Sequence, residues 1–509
     1  MRGLLFAPLL ATFLSATGHP APAGQISTNL SQFVQVKPYR ADRIIIQPRQ
    51  GPDTTALEQF HARQHSRVLM KFEHVGHAEV LEVPAGETVE RLTAKYQQSG
   101  LVEFAEPDYL VHAAAVPNDP KFQDGTLWAL NNYGQSGGTP HADIDATNAW
   151  DVLTSASNIV VAVLDSGIRS THEDLASNMW ANPNGGNGFD AFTGTNNPSD
   201  GTGHGTLVAG VLGGVGNNGK GVTGVAWQVQ MMDCRCLDNT GTGSDSSVMA
   251  CMEFARTNGA RIINASFSST NASLAVSNEI IALRNAGIIL VAAAGNATAG
   301  VNTSGVNVDV SPTYPACYKM DNIVSVAYTT RTDTLGSLSN YGATNVLLAA
   351  PGDQIYSTFS ASDSYYYPPS GLGINIAGTS FSAPYVSGAC ALLLAQYPAD
   401  TYRDTIARLV NATDILPALA GKCRTSGRLN LAKMLRSIRV APAAPATNGA
   451  FQLSVSGGLN RTCAVQTSTN LVDWSPVFTN PASTNGTFLF VDLPSTNLAR
   501  RFYRATAAQ

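Results

Sequence analysis

The chain contains 509 residues, has a formal net charge of -5 and carries charged side chains at 13% of its positions. This length exceeds what one hydrophobic core organises and predicts about two to four domains, and the composition is globular rather than disordered. The slightly acidic balance argues against nucleic acid or an anionic membrane as a partner, and no apolar run is long enough to cross a bilayer.

The N-terminus has the composition of an export signal. Arg2 precedes an apolar stretch over residues 4–14, and small residues follow. A basic, an apolar and a small-residue region in this order are typical of a secretory signal peptide. We therefore assign residues 1–23 to a signal peptide, expect cleavage between residues 16 and 24, and predict a secreted, extracellular protein. A short buried helix is the structural alternative.

Residues 24–114 combine strand and helix patterns in an order that predicts a small α+β domain. The order is β-α-β-β-α-β, which is the ferredoxin-like split unit. The predicted elements are a strand over 42–48, a helix over 54–65, strands over 67–72 and 78–83, a helix over 88–98 and an extended segment over 101–112.

The next region alternates short apolar runs with helical patterns. The runs are continuous in hydrophobicity, as in parallel strands that are buried on both faces. This alternation predicts an open parallel sheet with helices on both faces, which binds ligands at the carboxyl ends of its strands. Strands are expected near 159–164, 225–232, 261–264, 288–293 and 323–327, and helices near 205–214, 244–258 and 274–286.

Residues 378–384 read GTSFSAP and precede an apolar helical run over 386–396. A serine at the first turn of a helix exposes its hydroxyl where backbone N–H groups and the helix dipole favour developing negative charge. Gly378 allows a close backbone approach, and we expect Pro384 in the first helical turn, where proline is tolerated. Ser380 therefore suits a nucleophile beside an oxyanion site, although serine is also a common N-cap residue.

Three further residues could serve a serine nucleophile. Asp165 closes an apolar strand, His204 lies in the sequence GTGHG before a helix, and Asn296 follows the apolar segment VAAAG. A serine hydroxyl needs a base, a histidine titrates near neutrality, a buried carboxylate orients the imidazole, and an amide stabilises an oxyanion. Each residue also has an ordinary structural explanation. Asp165 could be a turn residue at a strand end, His204 a packed core histidine, and Asn296 a loop residue in the left-handed conformation.

The GTSFSAP segment resembles the nucleophile motif GTSxxxP of the subtilisin-like serine proteases, or subtilases, peptidase family S8. Asp165, His204 and Ser380 follow one another in that family's order, in local sequences that also resemble it. The resemblance implies an α/β fold with a subtilisin-like open parallel sheet over residues 115–440. It also implies a serine endopeptidase with an Asp-His-Ser triad, in which the amide of Asn296 and the backbone N–H of Ser380 form the oxyanion hole.

The resemblance gives residues 24–114 a role as well. They resemble the inhibitory propeptide of subtilases, which acts as a chaperone for the protease domain. The family pattern then implies a zymogen that cuts itself near Ala114 and Ala115 and stays inhibited while the cleaved propeptide remains bound.

Substrate contacts follow from the resemblance. In the family, two backbone segments clamp the substrate as an antiparallel strand, and a further residue lies near the base of the primary pocket. Glycine is common in the family at two of the matching positions, so we expect a shallow pocket for small or medium apolar side chains. Ordinary surface loops are the alternative. The matching residues are Gly241, Thr242 and Gly243, then Ser266, Phe267 and Ser268, and Thr313 for the pocket base.

No cofactor is expected for catalysis, whereas the resemblance raises the prospect of a structural calcium ion. Family calcium sites use a carboxylate near the mature N-terminus, a second one after the catalytic aspartate, and a loop after the histidine helix. The matching residues here are Asp119, Asp174 and Asn218. Oxygen ligands of this kind suit calcium. The loop also carries Lys220 and is one residue longer than the common family pattern.

The C-terminal region has a different composition. Residues 441–449 are rich in proline and alanine and are interpreted as a linker. Residues 450–509 contain short alternating runs separated by glycine, asparagine and proline, which predict a small all-β module. Surface or substrate docking and a role in stability or sorting both remain open for this module.

Two other motifs were weighed against these assignments. Residues 134–138 read GQSGG and fit the nucleophile elbow of esterases, but the flanking residues predict a loop, so we reject Ser136 as the nucleophile. The seven cysteines include Cys234, Cys236 and Cys390, which we expect to be buried as small apolar residues.

The resulting prediction is a secreted, autoprocessed serine endopeptidase. Its expected partners are protein and peptide substrates and its own propeptide, and we expect a monomer. A catalytically silent binding or surface protein on the same fold is the alternative.

Overall fold

The computed structural model describes residues 39–49, 54–109, 115–297, 303–367, 376–443, 451–457, 462–480, 487–492 and 501–507. The predicted signal peptide and residues 110–114, next to the predicted processing position, lie outside these ranges. Over the described ranges, none of the helices has the length and hydrophobicity that a membrane crossing requires.

Residues 39–109 form a four-stranded antiparallel sheet in the order β2-β3-β1-β4. Strand β1 buries Ile44 and Ile46, and the helix after Thr88 buries Leu92 and Tyr96 in the same core. The observed elements follow the predicted ferredoxin-like order. They are β1 (Tyr39–Pro48), α1 (Thr54–Gln64), β2 (Val68–Phe72), β3 (Ala78–Glu82), α2 (Val89–Gln98) and β4 (Val102–Tyr109).

The largest sheet has nine strands in the order β14-β15-β11-β10-β9-β8-β5-β7-β6, and every neighbouring pair except β14 with β15 is parallel. A separate pair, β12 with β13, is antiparallel. The bounds are β5 (Ser155–Asp165), β6 (Gly188–Asp190), β7 (Gln228–Arg235), β8 (Ile262–Ala265), β9 (Ile289–Ala293), β10 (Ile323–Thr329), β11 (Leu348–Pro351), β12 (Ser357–Thr358), β13 (Tyr366–Tyr367), β14 (Asp414–Ile415) and β15 (Gly427–Arg428).

Helices cover both faces of this sheet, as predicted. The helices are α3 (Pro120–Gln123), α4 (Ala146–Trp150), α5 (His204–Gly213), α6 (Asp245–Thr257), α7 (Leu274–Asn285), α8 (Thr379–Gln396), α9 (Tyr402–Asn411) and α10 (Leu431–Leu435). Alternate residues of β5 enter opposite cores: Val161 and Val163 pack with α5 and α8, whereas Ala162 and Leu164 pack with α6 and α7. The predicted α/β fold with an open parallel sheet is therefore confirmed.

Residues 439–507 contain two three-stranded antiparallel sheets, β16-β17-β20 and β19-β18-β21, around a small apolar core. The strands are β16 (Arg439–Pro442), β17 (Phe451–Ser456), β18 (Cys463–Ser468), β19 (Ser475–Asn480), β20 (Thr487–Asp492) and β21 (Phe502–Ala507). The linker prediction was wrong for residues 441–442, because these pair with β17 and extend its sheet. A strand partner of this kind is not visible in local composition.

A buried arginine of α9 joins the sheet of β16 and β17 to the sheet-and-helix domain. Arg408 of α9 is 2% exposed. Its guanidinium donates to the Asp400 carboxylate at 2.6 Å, to the carbonyl of Ser437 at 2.9 Å and to the hydroxyl of Ser456 at 2.7 Å. The sheet of β16 and β17 is therefore held to α9 by a buried, charge-assisted network.

Candidate active site

The four predicted catalytic residues lie at the end of the large sheet where its parallel strands terminate. Asp165 is the last residue of β5, and Asn296 follows the end of the nearby strand β9. His204 is the first residue of α5 and Ser380 the second residue of α8. Open parallel sheets bind their ligands at this end, which is formed by the carboxyl ends of the strands.

The structure brings Asp165 and His204 into direct contact. The Asp165 carboxylate is fully buried, and its Oδ1 lies 2.8 Å from Nδ1 of His204 and accepts a hydrogen bond from the Ser166 N–H. The imidazole remains 32% exposed. Burial lowers the pKa of His204, but the charge and hydrogen bond of Asp165, with the charge of Asp200, outweigh it, so this pKa lies above its ordinary value of 6.5. With Nδ1 committed to Asp165, Nε2 is the nitrogen that can exchange a proton in the cleft.

The close approach of α5 to the end of β5 depends on a glycine. A Cβ atom at Gly205 would lie 2.1 Å from the carbonyl oxygen of Gly167 and 3.1 Å from Cβ of Asp165. Any larger residue would therefore push the first turn of α5, and with it His204, away from the carboxylate.

Asp200 organises the loop before His204, and the sequence analysis did not identify it. Its Oδ1 accepts from the Gly203 N–H at 2.8 Å and from the Ser166 hydroxyl at 2.8 Å. Its Oδ2 accepts from the hydroxyl of Thr206 at 2.6 Å. The signal was an aspartate three residues before Gly203, in the glycine-rich segment that leads into α5, where aspartate side chains accept backbone N–H groups.

Ser380 lies in the first turn of α8, but Pro384 is the sixth residue of the helix rather than a first-turn residue, which corrects the sequence prediction. Proline has no N–H, so the carbonyl of Ser380 cannot accept the usual helical hydrogen bond from position 384. The hydroxyl of Ser266 donates to this carbonyl at 2.8 Å instead. Ser266 thus replaces the missing backbone donor and fixes the turn that carries Ser380.

The hydroxyl of Ser380 points toward the same neighbour. In the structure, its Oγ donates to the carbonyl oxygen of Ser266 at 3.0 Å. The aromatic ring of Phe381 lies next to the imidazole of His204, with a distance of 5.6 Å between ring centroids. A rotation about the Cα–Cβ bond of Ser380 changes which acceptor its hydroxyl faces, at the small cost of exchanging one staggered rotamer for another.

Asn296 contacts the start of α8 directly. Its Oδ1 accepts from the Thr379 N–H at 2.9 Å, so Nδ2 is the atom of this amide that remains to donate. Gly295, immediately before it, has φ of +90° and donates its N–H to the hydroxyl of Thr379 at 3.1 Å. The chain therefore leaves β9 through a left-handed residue and aims the amide at the helix end that carries Ser380.

A cavity of about 460 Å³ lies between the two predicted substrate segments. Gly241, Thr242 and Gly243 line one side, and Phe267 and Ser268 line the other. The structure therefore brings both segments to a common depression, as an antiparallel clamp requires.

The remaining two predicted substrate residues lie elsewhere. Ser266 faces Ser380, as described above. Thr313 is 7% exposed, and its hydroxyl donates to the carbonyl of Ala294 at 2.8 Å. Its neighbours Tyr314 and Pro315 line the cavity. The hydrogen bond joins Thr313 to the chain just before Asn296. Thr313 itself does not line this cavity, and its predicted place at the base of the primary pocket stays a prediction.

The structure also brings the predicted calcium residues together. Asn218 donates its Nδ2–H to the carboxylate of Asp174 at 2.7 Å and its backbone N–H to the carboxylate of Asp119 at 3.2 Å. Both aspartates are fully buried. Lys220 does not contact either of them through its ammonium group, which lies 3.5 Å from Glu173.

At both carboxylates of this cluster, the effect of burial on the pKa outweighs the effect of the hydrogen bonds that they accept. Burial raises the pKa of Asp119, with a further contribution from the charge of Asp174, and burial also raises the pKa of Asp174. Two buried carboxylates beside an amide are a donor set that suits calcium. Over the part of the chain that the structure describes, no group of three or more His, Cys, Asp or Glu side chains has a metal-binding arrangement. A cation here would therefore rely on amide, backbone or water oxygens as well.

Ser136 and the three cysteines behave as the sequence indicated. Ser136 lies in a three-residue 3₁₀ turn and has φ of 54°, without the strand and helix that a nucleophile elbow requires. Cys234, Cys236 and Cys390 are fully buried in apolar cores.

Comparison with family models gives two matches. A model described as the subtilase family, Peptidase S8, matches residues 156–445. A model of the fervidolysin N-terminal prodomain matches residues 30–108, which lie within the region predicted to be a propeptide.

Individual relatives agree with these matches. Thermitase of Thermoactinomyces vulgaris is 33% identical over 280 residues, which cover 55% of this chain and 86% of thermitase. A thermophilic serine proteinase of Bacillus sp. strain AK1 is 33% identical over 308 residues, 60% of this chain and 67% of that protein. Among solved structures, a protease of Pseudoalteromonas arctica PAMC 21717 is 28% identical with a TM-score of 0.52, and the match covers 63% of this chain and 98% of that one.

Proposed function

The chain belongs to the subtilase family of serine peptidases, and from this premise we propose that it is a secreted endopeptidase with Ser380 as nucleophile and His204 as general base. Asp165 orients the imidazole, and Asn296 stabilises the oxyanion. The contact of 2.8 Å between the buried Asp165 carboxylate and Nδ1 of His204 is the observation that carries this proposal. A buried carboxylate in that position holds the tautomer that leaves Nε2 as a base and stabilises the imidazolium that forms.

The reaction proceeds by acyl transfer. The hydroxyl of Ser380 turns from the Ser266 carbonyl to Nε2 of His204 and gives up its proton as its oxygen attacks the substrate carbonyl carbon. The protonated imidazole then returns this proton to the leaving amine as the C–N bond breaks, which leaves an ester on Ser380. Water, deprotonated by the same imidazole, attacks the ester carbonyl carbon. The bond between this carbon and Oγ of Ser380 then breaks, the imidazolium returns the proton to Oγ, and the acid product leaves.

The oxyanion of each tetrahedral intermediate needs donors that are already in place. The Nδ2–H group of Asn296 is available because its Oδ1 accepts from Thr379. The backbone N–H of Ser380 lies in the first turn of α8, where such groups have no partner within the helix. Together with the positive end of the helix dipole, these donors favour the charge that develops in the transition state.

Labelling with a sulfonyl fluoride tests the assignment of the nucleophile. A protein active on casein should lose activity as one equivalent of reagent attaches to the peptide that contains Ser380. Ser136→Ala should retain both activity and labelling, and Ser380→Ala should lose both. An unlabelled Ser380 in a folded protein that cleaves no casein would favour the catalytically silent binding protein, for which the observed Ser380–Ser266 hydrogen bond is the supporting observation.

Maturation by self-cleavage is the second part of the proposal. The prodomain match and the ferredoxin-like sheet support an inhibitory propeptide that precedes the catalytic domain. A tethered segment reaches a high effective concentration in the cleft without tight intrinsic affinity. Expressed without any other protease, the wild type should begin near residue 115, and Ser380→Ala should accumulate as the longer proform. A mature N-terminus on the Ser380→Ala protein would instead assign maturation to another protease.

We further propose a structural calcium ion at Asp119, Asp174 and Asn218. The two buried carboxylates, whose raised pKa values reflect the burial of their negative charge, support this site. Calcium would compensate that charge and join the N-terminal segment of the catalytic region to the loop after α5. It has no role in the acyl-transfer steps.

A further inference from the structure

The cavity between the two substrate segments is lined by apolar and polar groups in similar amounts. It extends past the segments to the start of α6 and to the side of Tyr318. Three of its aliphatic residues are nearly buried, with exposed fractions of 7 to 8%. The apolar side chains of the lining are Leu237, Val248, Phe267, Val276, Tyr314, Pro315 and Tyr318.

Asp245 is the charged residue in this lining, and among the described lining residues no cation accompanies it. It is exposed and forms the first residue of α6, where the helix dipole stabilises a carboxylate. Burial raises the pKa of Tyr318, and the negative charge of Asp245 raises it further, which indicates that the carboxylate is close to the tyrosine wall of the cavity.

Asp245 is not needed to hold the neighbouring loop or to cap α6, because other residues do both. Asp238 lies in the loop of the first substrate segment, and its Oδ1 accepts from the N–H groups of Thr240 and Thr242 at 2.8 and 3.0 Å. Asp238 therefore holds the loop in shape. The cap of α6 is made by Ser244 and Ser247, whose side chains and N–H groups bond reciprocally, so the helix start does not need Asp245 for capping.

We infer that Asp245 makes this cavity selective for substrates with an arginine or lysine side chain two to four residues before the cleaved bond. The proposal rests on the proposed endopeptidase function and deepens it. The long aliphatic stem of such a residue can lie on the apolar walls while its cationic head reaches the carboxylate at the rim. An acidic side chain in the same place would bring two negative charges together, and a purely apolar one would leave Asp245 uncompensated.

The expected preference is moderate because the carboxylate is exposed to solvent. Exposed ion pairs contribute little, and a gain of about two- to fivefold in kcat/KM is the size that such a pair supports. The preference should weaken at high ionic strength, since salt screens exposed charges. The primary pocket is a separate feature, and its expected preference for small or medium side chains is not altered.

Fluorogenic peptides test the inference. In three matched series, the residue two, three or four positions before the cleaved bond is arginine, norleucine or glutamate, and the rest of the peptide is constant. The wild type should cleave the arginine peptide about two- to fivefold better than the norleucine peptide at one of these positions, with glutamate slowest. Asp245→Asn should bring the arginine-to-norleucine ratio close to one.

Glu253→Gln is the matched control, because it removes one negative charge from the same helix on an exposed residue outside the cavity. This variant should keep the arginine preference. Equal cleavage of arginine and norleucine peptides by the wild type at all three positions would overturn the inference, as would a preference that survives in Asp245→Asn. If the protein cleaves none of the peptides, the proposed function fails, and equilibrium binding of the same peptides to wild type and Asp245→Asn then decides the charge preference by itself.

Discussion

The Asp165 site and the Asp119–Asp174 site both contain fully buried carboxylates, and they differ in what faces the charge. Asp165 faces an imidazole at 2.8 Å that can take up a proton and become a cation. Asp119 and Asp174 face backbone N–H groups, the amide of Asn218 and the hydroxyl of Tyr366. Compensation in the first site is internal and changes with protonation, which suits catalysis. In the second site the donors are neutral, and the cation that we propose would add the compensating charge, which suits a structural role.

Exchanging each carboxylate for an amide should separate the two sites most strongly. We expect Asp165→Asn to lower kcat on a short peptide by about 10⁴-fold, because the amide favours the wrong imidazole tautomer. Asp174→Asn should leave kcat nearly unchanged in calcium-containing buffer. Steady-state kinetics on both variants, purified in mature form by the same processing protease, provides the measurement. A comparable loss of kcat in both would show that the two sites are not functionally distinct.

Asn296→Ala should have the next largest effect. Its amide is expected to act only when the oxyanion forms, so kcat should fall by about 10²- to 10³-fold with little change in KM. Because Oδ1 of Asn296 also accepts from the Thr379 N–H, the melting temperature should be recorded alongside the kinetics. A raised KM with normal kcat would place Asn296 in substrate binding instead.

Removal of calcium should act on stability and leave the chemistry intact. At neutral pH, chelation should lower the melting temperature of the wild type, by the equivalent of about 2.7 kcal/mol if calcium had been present at a hundred times its Kd. The raised pKa values of Asp119 and Asp174 mean that metal-free stability falls as pH rises through them, so the chelator effect should be lost on acidification. Asp174→Asn should show no chelator effect at any pH, and an undiminished effect in this variant would place the calcium elsewhere.

The smallest expected effect is the pH dependence set by His204. The base must be neutral, so kcat/KM should rise about tenfold per pH unit below the pKa of His204 and level off above it. Because Asp165 and Asp200 raise this pKa, the midpoint should lie above 6.5. A pH–rate profile on a non-ionising peptide measures it. A midpoint below 6.5 would mean that burial, rather than the two carboxylates, controls the imidazole.

Sequence patterns located the large sheet better than they located its strand ends. The run over 225–232 predicted a strand that the structure has at 228–235. Val225 and Ala226 are buried outside the sheet, where their backbone N–H groups donate to carbonyls near the end of α5. Asp233 and Arg235 continue the strand although they are polar, since Asp233 accepts from Ile168 and Arg235 pairs with Asp190. Hydrophobicity marks burial, and only the fold shows which buried residues are strands.

The sequence by itself determined the residue types of the active site and their places at strand ends and helix starts, because a continuous apolar run followed by a polar residue marks the edge of a buried parallel sheet. The tertiary structure decided the contacts between these segments. Ser266 replaces the N–H that Pro384 lacks, Asp200 joins the His204 loop to Ser166, and Asp245 lies in a cavity that residues from distant segments form. These contacts join residues that are far apart in the chain or act through side-chain direction, and local composition carries no record of either.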